Sequence, residues 1–279
     1  MAFQVVDYRA TDAAEQFAQS LCRTGVSVLT HHPIPADLVL AIHQSWSRFF
    51  RGGEKGRYRF NGRGQDGYFP ARCSNVDSPA SRAGLKEYFH FYPWGQCPPE
   101  LRTELSHYFA QAGQLAAELV EWLQHWSPAR RIQSLSEPLP QMIHASDKSL
   151  LRVQYWSSGH EDGILDVAST VAEANINLLT LLPTTQARGV QIQDQQGQWL
   201  DVPSQGDPLI VYAGEMLQEL SGGELRVPVH RVLAASAGTG DSEPIALPFM
   251  LQPRPEVRLS DRYTAESYLN ERRLQLGQL

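Results

Sequence analysis

The segment VAEANINLLTLLP, residues 171–183, ends in a run of leucines closed by Pro183. A short apolar run that is bounded by proline and polar residues is typical of a buried strand. Other short, alternating segments with turn residues between them surround it, and such a series favours an antiparallel barrel or double-sheet jelly roll. These segments are LLRVQYW (150–156), GVQIQD (189–194), QWLDVP (198–203), PLIVYAGEM (208–216), HRVLAA (230–235) and IALPFMLQP (245–253).

Helical periodicity dominates the earlier part of the chain. Residues 12–25 and 36–50 each predict an amphipathic helix, residues 100–126 predict the longest one, and residues 51–84 predict a long loop over a functional face. A further helix is predicted near the C-terminus. We therefore expect one α+β domain over residues 1–279, with an N-terminal α/β part (1–126), a jelly-roll core (150–255) and a C-terminal helix (260–279).

Composition narrows the function classes. The chain has 24 Lys and Arg against 30 Asp and Glu and no basic run, which argues against nucleic acid as a partner. Asp7, Arg9 and Asp12 interrupt the N-terminal segment, and no apolar run reaches membrane-spanning length, so we expect a cytoplasmic protein without a membrane partner. The three cysteines are widely spaced and form no CxxC pair, which predicts free thiols.

Several segments together resemble the isopenicillin N synthase-like family of non-haem Fe(II) and 2-oxoglutarate-dependent oxygenases. They occur in the family's order along nearly the whole chain: TGVSVLTHHPIP (24–35), GYFP (67–70), LKEYFHFYPWG (85–95), the strand segments above, VPVHRV (227–232) and LPFMLQPRPEV (247–257). The resemblance implies a double-stranded β-helix, or jelly-roll, core with the site inside its open mouth. It also implies that a His-x-Asp pair and a distal His hold Fe(II).

The functional positions of that family are largely replaced in this chain. Glu173 and Asn175 stand where the His-x-Asp pair is expected, directly before the leucine-rich strand, whereas the distal His falls on His230, 230 − 175 = 55 residues later. In the family, an Arg-x-Ser pair binds the carboxylate of 2-oxoglutarate. The resemblance places this pair at Pro244 and Ala246, which have no side-chain donor. Four of the five positions therefore lack the family's residue.

Two interpretations of the metal positions follow from ligand chemistry. Glu173, Asn175 and His230 offer a carboxylate, an amide oxygen and an imidazole, which gives at best a weak or altered metal site with Fe(II) as the candidate ion. Alternatively, Asn175 and His230 hydrogen-bond to each other across the mouth, while Glu173 pairs with His230 or points to solvent. Binding of 2-oxoglutarate is not expected in either case.

Other candidate residues are weaker. The segment GHEDG contains a second His-x-Asp, His160 and Asp162, but it reads as a solvated turn. Arg152 and Tyr155 cannot both face the barrel interior from a regular strand, and we favour Tyr155 as the cofactor-binding residue. The family places mouth-lining residues at Tyr68, Phe69 and Arg72.

The sequence thus supports two functions. The preferred hypothesis is a catalytically silent relative that binds a small molecule in the barrel mouth. The alternative is an atypical metal-dependent oxygenase that uses Glu173 and His230 with an unusual co-substrate.

Overall fold

The computed structural model describes residues 3–60, 65–71, 86–130, 132, 135–156, 175–184, 190–194, 197–203, 206–232 and 245–275. The helices are α1 Ala13–Thr24, α2 Ala36–Arg51, α3 Pro99–Trp126, α4 Leu139–Ile143, α5 Glu215–Leu220 and α6 Ala265–Gln275, with a 3₁₀ turn at Glu54–Tyr58. The strands are β1 Gln4–Asp7, β2 Val26–Thr30, β3 Gly67–Phe69, β4 Lys86–Phe91, β5 Leu150–Trp156, β6 Leu179–Pro183, β7 Val190–Gln193, β8 Trp199–Asp201, β9 Leu209–Ala213, β10 His230–Val232, β11 Ile245–Ala246 and β12 Phe249–Leu251.

Two sheets form the core. The main sheet has the order β1-β2-β9-β6-β12-β5-β4-β3, with β11 beside β5, and the small sheet has the order β10-β7-β8. The β1–β2 pair is parallel, and the other pairs between the described strands are antiparallel. This arrangement, with helices flanking one face, confirms the predicted α+β jelly roll.

In each strand of the main sheet, successive side chains point to opposite faces of the sheet. One face packs against α1, α2 and α3 and includes Phe89, Leu151 and Phe249 in the large apolar core. The opposite face meets the small sheet, where Val28, Ile210 and Leu182 form a second apolar cluster with residues of β7. We call this second face the interior face, because it encloses the barrel between the two sheets.

The first helix shows how local sequence sets the geometry. Phe17 and Leu21 of α1 are fully buried, as the predicted amphipathic pattern requires. The helix ends at Gly25, which has φ of +76°, and a Cβ there would lie 2.0 Å from the carbonyl oxygen of Arg226. Glycine is therefore required by both backbone conformation and space. Asp12, which precedes the helix, makes no side-chain capping bond.

Several boundaries differ from the sequence prediction. The leucine-rich strand of segment 171–183 begins at Leu179. In segment 208–216 the strand ends at Ala213, and a short helix, α5, follows. The predicted strand 245–253 is divided at Leu247 and Pro248, where the Pro248 carbonyl accepts a hydrogen bond from the Arg152 amide at 3.0 Å. The predicted loop 51–84 contains β3. Within the described residues, no helix is both long and apolar enough to cross a membrane.

Candidate functional site at the barrel mouth

One end of the barrel gathers the residues that the sequence singles out. At this end β6 and β5 begin while β9 and β12 finish, as shown by the pairs Leu179 with Ala213 and Met250 with Leu150. The small sheet contributes His230 at the same end, because the His230 ring contacts the ring of Tyr212, the residue before Ala213 at the end of β9. We refer to this end as the barrel mouth.

Asn175 lies at the barrel mouth directly before β6 and is fully buried. Its backbone carbonyl accepts hydrogen bonds from the amides of Asn177 at 2.9 Å and Glu215 at 2.7 Å. Among the described residues, neither Oδ1 nor Nδ2 of its side chain has a hydrogen-bond partner. The hydrogen bond predicted between Asn175 and His230 is therefore not formed, and the buried amide is left with an energetic cost of about 1–3 kcal/mol.

His230 occupies the interior face of the small sheet and is buried. Its ring lies 4.7 Å from the ring of Tyr212, with 39° between their planes. Tyr212 pairs with Thr180 across β9 and β6, and its hydroxyl hydrogen-bonds to Thr180. Burial raises the pKa of Tyr212, while the bond to Thr180 and the charge of Arg152 act in the opposite direction. The imidazole is thus held against a neutral phenol.

Several predicted site residues lie outside the described part of the chain: Glu173, His160, Asp162, Arg72 and Pro244. Among the residues that are described, no group of three His, Cys, Asp or Glu side chains is arranged to hold a metal. His230 and Asn175 supply one imidazole and one neutral amide, and this pair does not fit the two imidazoles and one carboxylate that Fe(II) takes in such sites.

The co-substrate position is equally changed. Ala246 pairs with Gln154 of β5 and packs against the apolar cluster of the interior face. A methyl group at this place gives no donor for a carboxylate. The residue present here therefore does not fit 2-oxoglutarate held in the family's manner.

Arg152 is the charged side chain that β5 places on the interior face. Arg152 is paired with His90 of the neighbouring strand β4 and is 6% exposed. Its Nε donates a hydrogen bond to Nε2 of His90 at 3.1 Å. Since Nε2 accepts this bond, Nδ1 of His90 carries the proton and donates to the Gln65 carbonyl at 2.9 Å. The guanidinium also lies 4.9 Å from the ring centre of Tyr88.

Nη1 of Arg152 is buried and makes no hydrogen bond within the described residues. No carboxylate of those residues forms an ion pair with this guanidinium. A cation in this state is costly unless an anion reaches it.

Tyr155 points the other way. Its ring stacks on Phe50 of α2, with centroids 5.0 Å apart and planes at 10°, inside the helix-facing core. The structure thus reverses the orientation predicted from sequence, because the apolar core takes the aromatic ring and leaves the interior to Arg152. A cofactor-binding role for Tyr155 stays a prediction that this orientation does not support.

The two mouth-lining candidates of β3 also divide between the faces. The Phe69 ring lies 4.6 Å from the His90 ring and 4.8 Å from the Tyr88 ring, on the interior face. The Tyr68 hydroxyl instead donates to Glu87 at 2.7 Å on the opposite face, and burial followed by this bond raises the Tyr68 pKa. Phe69 is therefore the better candidate for contact with a ligand.

A cavity of about 290 Å³ opens at the barrel mouth. It lies beside Leu150 and Tyr92, which extend the row of Arg152 and His90 on the interior face. Helix α6 covers the cavity, and the remaining lining residues include Gln65, Trp94, Lys148, Met216, Gln252, Glu266, Asn270 and Arg273. Arg272 fixes this helix through two bonds to Glu215 at 2.6 and 3.1 Å.

Sequence reasoning did not find Arg273. Burial lowers its pKa, the neighbouring Tyr92 raises it, and the positive charge of Arg152 lowers it further. Burial likewise raises the pKa of Tyr92 to about 12, against the charges of Arg273 and Arg152. The sequence shows only two adjacent arginines, and helix geometry alone decides that Arg272 reaches Glu215 while Arg273 faces the cavity.

Comparisons with known proteins agree with the fold. The family model described as the 2OG-Fe(II) oxygenase superfamily matches residues 148–253. A Shewanella oneidensis protein of solved structure, provisionally described as an oxygenase, is 40% identical, and the match covers 100% of both chains with a TM-score of 0.84.

Curated relatives are more distant. The chain is 26% identical to the 2-oxoglutarate-dependent dioxygenase frbJ of Dothideomycetidae sp. (strain 11243), over 55% of this chain but 41% of that protein, so it spans less than half of that relative's length. It is 21% identical to gibberellin 2-beta-dioxygenase 3 of Arabidopsis thaliana, over 95% of this chain and 83% of that protein. Given the matched family model, the 40% identity to the Shewanella oneidensis protein over the whole of both chains, and the jelly-roll fold, the chain belongs to the 2OG-Fe(II) oxygenase superfamily.

Proposed function

We propose that this member of the superfamily binds a small molecule in its barrel mouth and is catalytically silent as an Fe(II) oxygenase. The observation that carries the proposal is the buried, unsatisfied amide of Asn175 at the place of the carboxylate ligand. A carboxylate there would both bind the ion and offset its charge, whereas an amide does only the first, and weakly.

The other ligand positions support the same conclusion. Glu173 replaces an imidazole by a carboxylate, a side chain of different length and donor type. His230 is then the single family ligand that the chain retains. One imidazole supplemented by an amide binds a borderline metal far less tightly than the full set.

The mouth nevertheless keeps features of a binding site. Its cavity of about 290 Å³ is close to the lower end of the range of roughly 300–1,000 Å³ for ligand pockets. Aromatic and polar side chains, among them Tyr92, Trp94 and Gln252, line it. The ligand is therefore a small molecule.

The test is a metal analysis of protein purified without a metal-chelating tag, followed by anaerobic titration with Fe(II) and 2-oxoglutarate. We expect substoichiometric metal and no metal-to-ligand absorption band. His230→Ala serves as a matched control and should give the same result as the unmodified protein.

A stoichiometric, His230-dependent Fe(II) complex with an absorption band would overturn the proposal. That outcome would favour the atypical oxygenase with Glu173 and His230 as ligands. Turnover of oxygen by the complex would establish that alternative.

A further inference from the structure

We infer that the cavity at the barrel mouth binds a small planar aromatic acid, whose ring packs on Trp94 and whose single carboxylate meets Arg273. This inference rests on the proposed function, since it names the class of molecule that the same cavity binds. Both residues line the cavity. Trp94 lies in the turn after β4, and Arg273 lies on α6.

The cavity is separate from the family's co-substrate position. Leu150, at the start of β5, lines the cavity. Ala246, which stands at the co-substrate position, pairs instead with Gln154 further along the same strand. The aromatic acid is therefore assigned to a different place in the barrel from 2-oxoglutarate.

Trp94 presents a large ring that is exposed and yet fixed. The residue is 53% exposed. Its ring stacks on Tyr92, with centroids 4.7 Å apart and planes at 22°, and its Nε1 donates a hydrogen bond to the Asp147 carbonyl at 3.0 Å. A fixed aromatic surface in a cavity wall is suited to stack on a flat ring.

The turn that carries Trp94 is also held in place. The Arg102 guanidinium donates hydrogen bonds to the carbonyls of Pro93 at 3.1 Å and Gly95 at 2.7 Å. The Gly95 amide in turn donates to the Tyr92 carbonyl at 2.9 Å. Because the turn is already ordered, a ligand that stacks on Trp94 pays little conformational entropy to organise its site.

The rest of the wall near this surface is largely apolar. Leu150, Met216 and Leu269 line the cavity, and Tyr92 packs in one apolar cluster with Leu150. Aliphatic and thioether groups make favourable contacts with an aromatic ring. The volume of about 290 Å³ restricts the ligand to a small ring system.

Arg273 determines the charge of the ligand. It is half-buried and forms no ion pair with a carboxylate of the described residues. The neighbouring Arg272, by contrast, is bound to Glu215 at 2.6 and 3.1 Å. A planar carboxylate is the partner that a guanidinium group binds best, and partial burial strengthens the bond.

The other charged residues of the described lining do not compete for the acid. Lys148 is paired with Asp147 at 2.9 Å. Glu266 is exposed, so water and salt screen its charge. One cation, Arg273, therefore remains without a partner in this lining, which matches a ligand with one carboxylate.

The test is calorimetric titration in EDTA with 2-naphthoate and benzoate, each compared with a compound that lacks one feature. The amide 2-naphthamide lacks the charge, cyclohexanecarboxylate lacks the aromatic ring, and succinate is an aliphatic acid with two carboxylates. We expect saturable binding of at least one aromatic acid at a single site. The three comparison compounds should bind about tenfold more weakly or not at all.

Substitution of Trp94 tests the ring contact. Trp94→Ala should weaken binding of the aromatic acid by about fivefold or more, whereas Trp94→Phe should retain most of the affinity. Trp126→Ala is the matched control, because Trp126 is 52% exposed at the end of α3 and does not line the cavity. It should bind as the unmodified protein does.

Substitution of Arg273 tests the acid contact. Arg273→Gln should weaken binding of 2-naphthoate by about tenfold and leave binding of 2-naphthamide unchanged, since only the charge-assisted bond is lost. Arg9→Gln is the matched control, because Arg9 is exposed beyond β1 at the opposite end of the main sheet. The comparison of acid and amide on the unmodified protein keeps the test valid even where a variant does not fold.

Equal binding of succinate or 2-naphthamide and of 2-naphthoate would overturn the inference but leave a small-molecule site in the mouth. Equal affinity in Trp94→Ala and Trp126→Ala, or no binding of any aromatic acid, would overturn it as well. Binding that depends on Trp94 but appears only after Fe(II) is added would instead overturn the metal-free function and leave the aromatic acid assignment standing.

Discussion

The two faces of the main sheet are built from the same strands but have opposite chemistry. On the helix-facing side, Phe89 packs against Trp46 and Tyr155 against Phe50 of α2. Leu151 lies in the same apolar core, which includes residues of α3. On the interior face, the alternate positions of the same strands hold His90 and Arg152. The helix-facing side is filled by apolar contacts, whereas the interior face, beside its own apolar cluster, buries Arg152 with Nη1 lacking a hydrogen bond among the described residues.

The difference separates residues that stabilise the fold from residues whose burial is costly. A buried cation and a buried amide lower stability unless a partner satisfies them. Their presence opposite an intact apolar core supports the proposal that the barrel mouth binds a ligand. Substitutions on each face test this difference.

The largest effect is expected on the helix-facing side. Phe89→Ala removes a fully buried ring that contacts Trp46 and Phe49, and should lower the free energy of unfolding by about 3–5 kcal/mol. Urea denaturation followed by circular dichroism measures the change. A loss below about 1 kcal/mol would show that this face is not the dense core described.

A substitution at the barrel mouth should change the free energy of unfolding in the opposite direction. Asn175→Leu replaces an unsatisfied amide by an apolar group of similar size and should raise the free energy of unfolding by about 1–3 kcal/mol. Asn177→Leu is the control, because its Nδ2 donates to Thr180 at 2.8 Å and its loss should destabilise. Destabilisation by both changes to the same extent would contradict an unsatisfied Asn175.

Helix α6 gives a smaller effect at the mouth. Glu215→Gln weakens the bidentate contact with Arg272, and we expect a loss of about 1 kcal/mol because both side chains are largely buried. Hydrogen exchange of residues 265–275 should accelerate. Glu271→Gln, which affects a more exposed pair with Arg262, should cost roughly 0.5 kcal/mol or less. If hydrogen exchange is unchanged in Glu215→Gln, the contact between Arg272 and Glu215 does not hold α6 in place.

The smallest effect concerns His32, beyond the end of β2 that is distant from the mouth. Burial lowers the His32 pKa from 6.5, and the bond to the Asp207 carbonyl partly opposes this. The unfolded state therefore binds protons more readily, so stability falls as the pH decreases through and below 6.5. Denaturation between neutral and mildly acidic pH measures this slope. His32→Gln should flatten it, and an identical slope in that variant would exclude His32 as the cause.

Much of the fold was predictable because periodicity reports burial. The strands β5, β6 and β9, the helix α3 and the αL end of α1 at Gly25 all follow from local pattern. The break at Leu247 and Pro248 did not, since it depends on the backbone bond to Arg152 on another strand. Local sequence does not contain that information.

The site was predictable in position rather than in orientation. The family resemblance located Asn175 and His230, and the structure places both at the barrel mouth. The choice between Arg152 and Tyr155 depended on which face of β5 meets α2, and the exposure of Arg273 to the cavity depended on the docking of α6. Both are tertiary facts that one sequence does not specify.

The most direct test of the central claim is the Fe(II) affinity of the unmodified protein beside that of Glu173→His with Asn175→Asp, measured by anaerobic titration. The account predicts weak binding by the unmodified protein and stoichiometric binding by the double variant, because His230 and the framework are already arranged for the ion. Tight binding by the unmodified protein, or a folded double variant that remains free of iron, would contradict it.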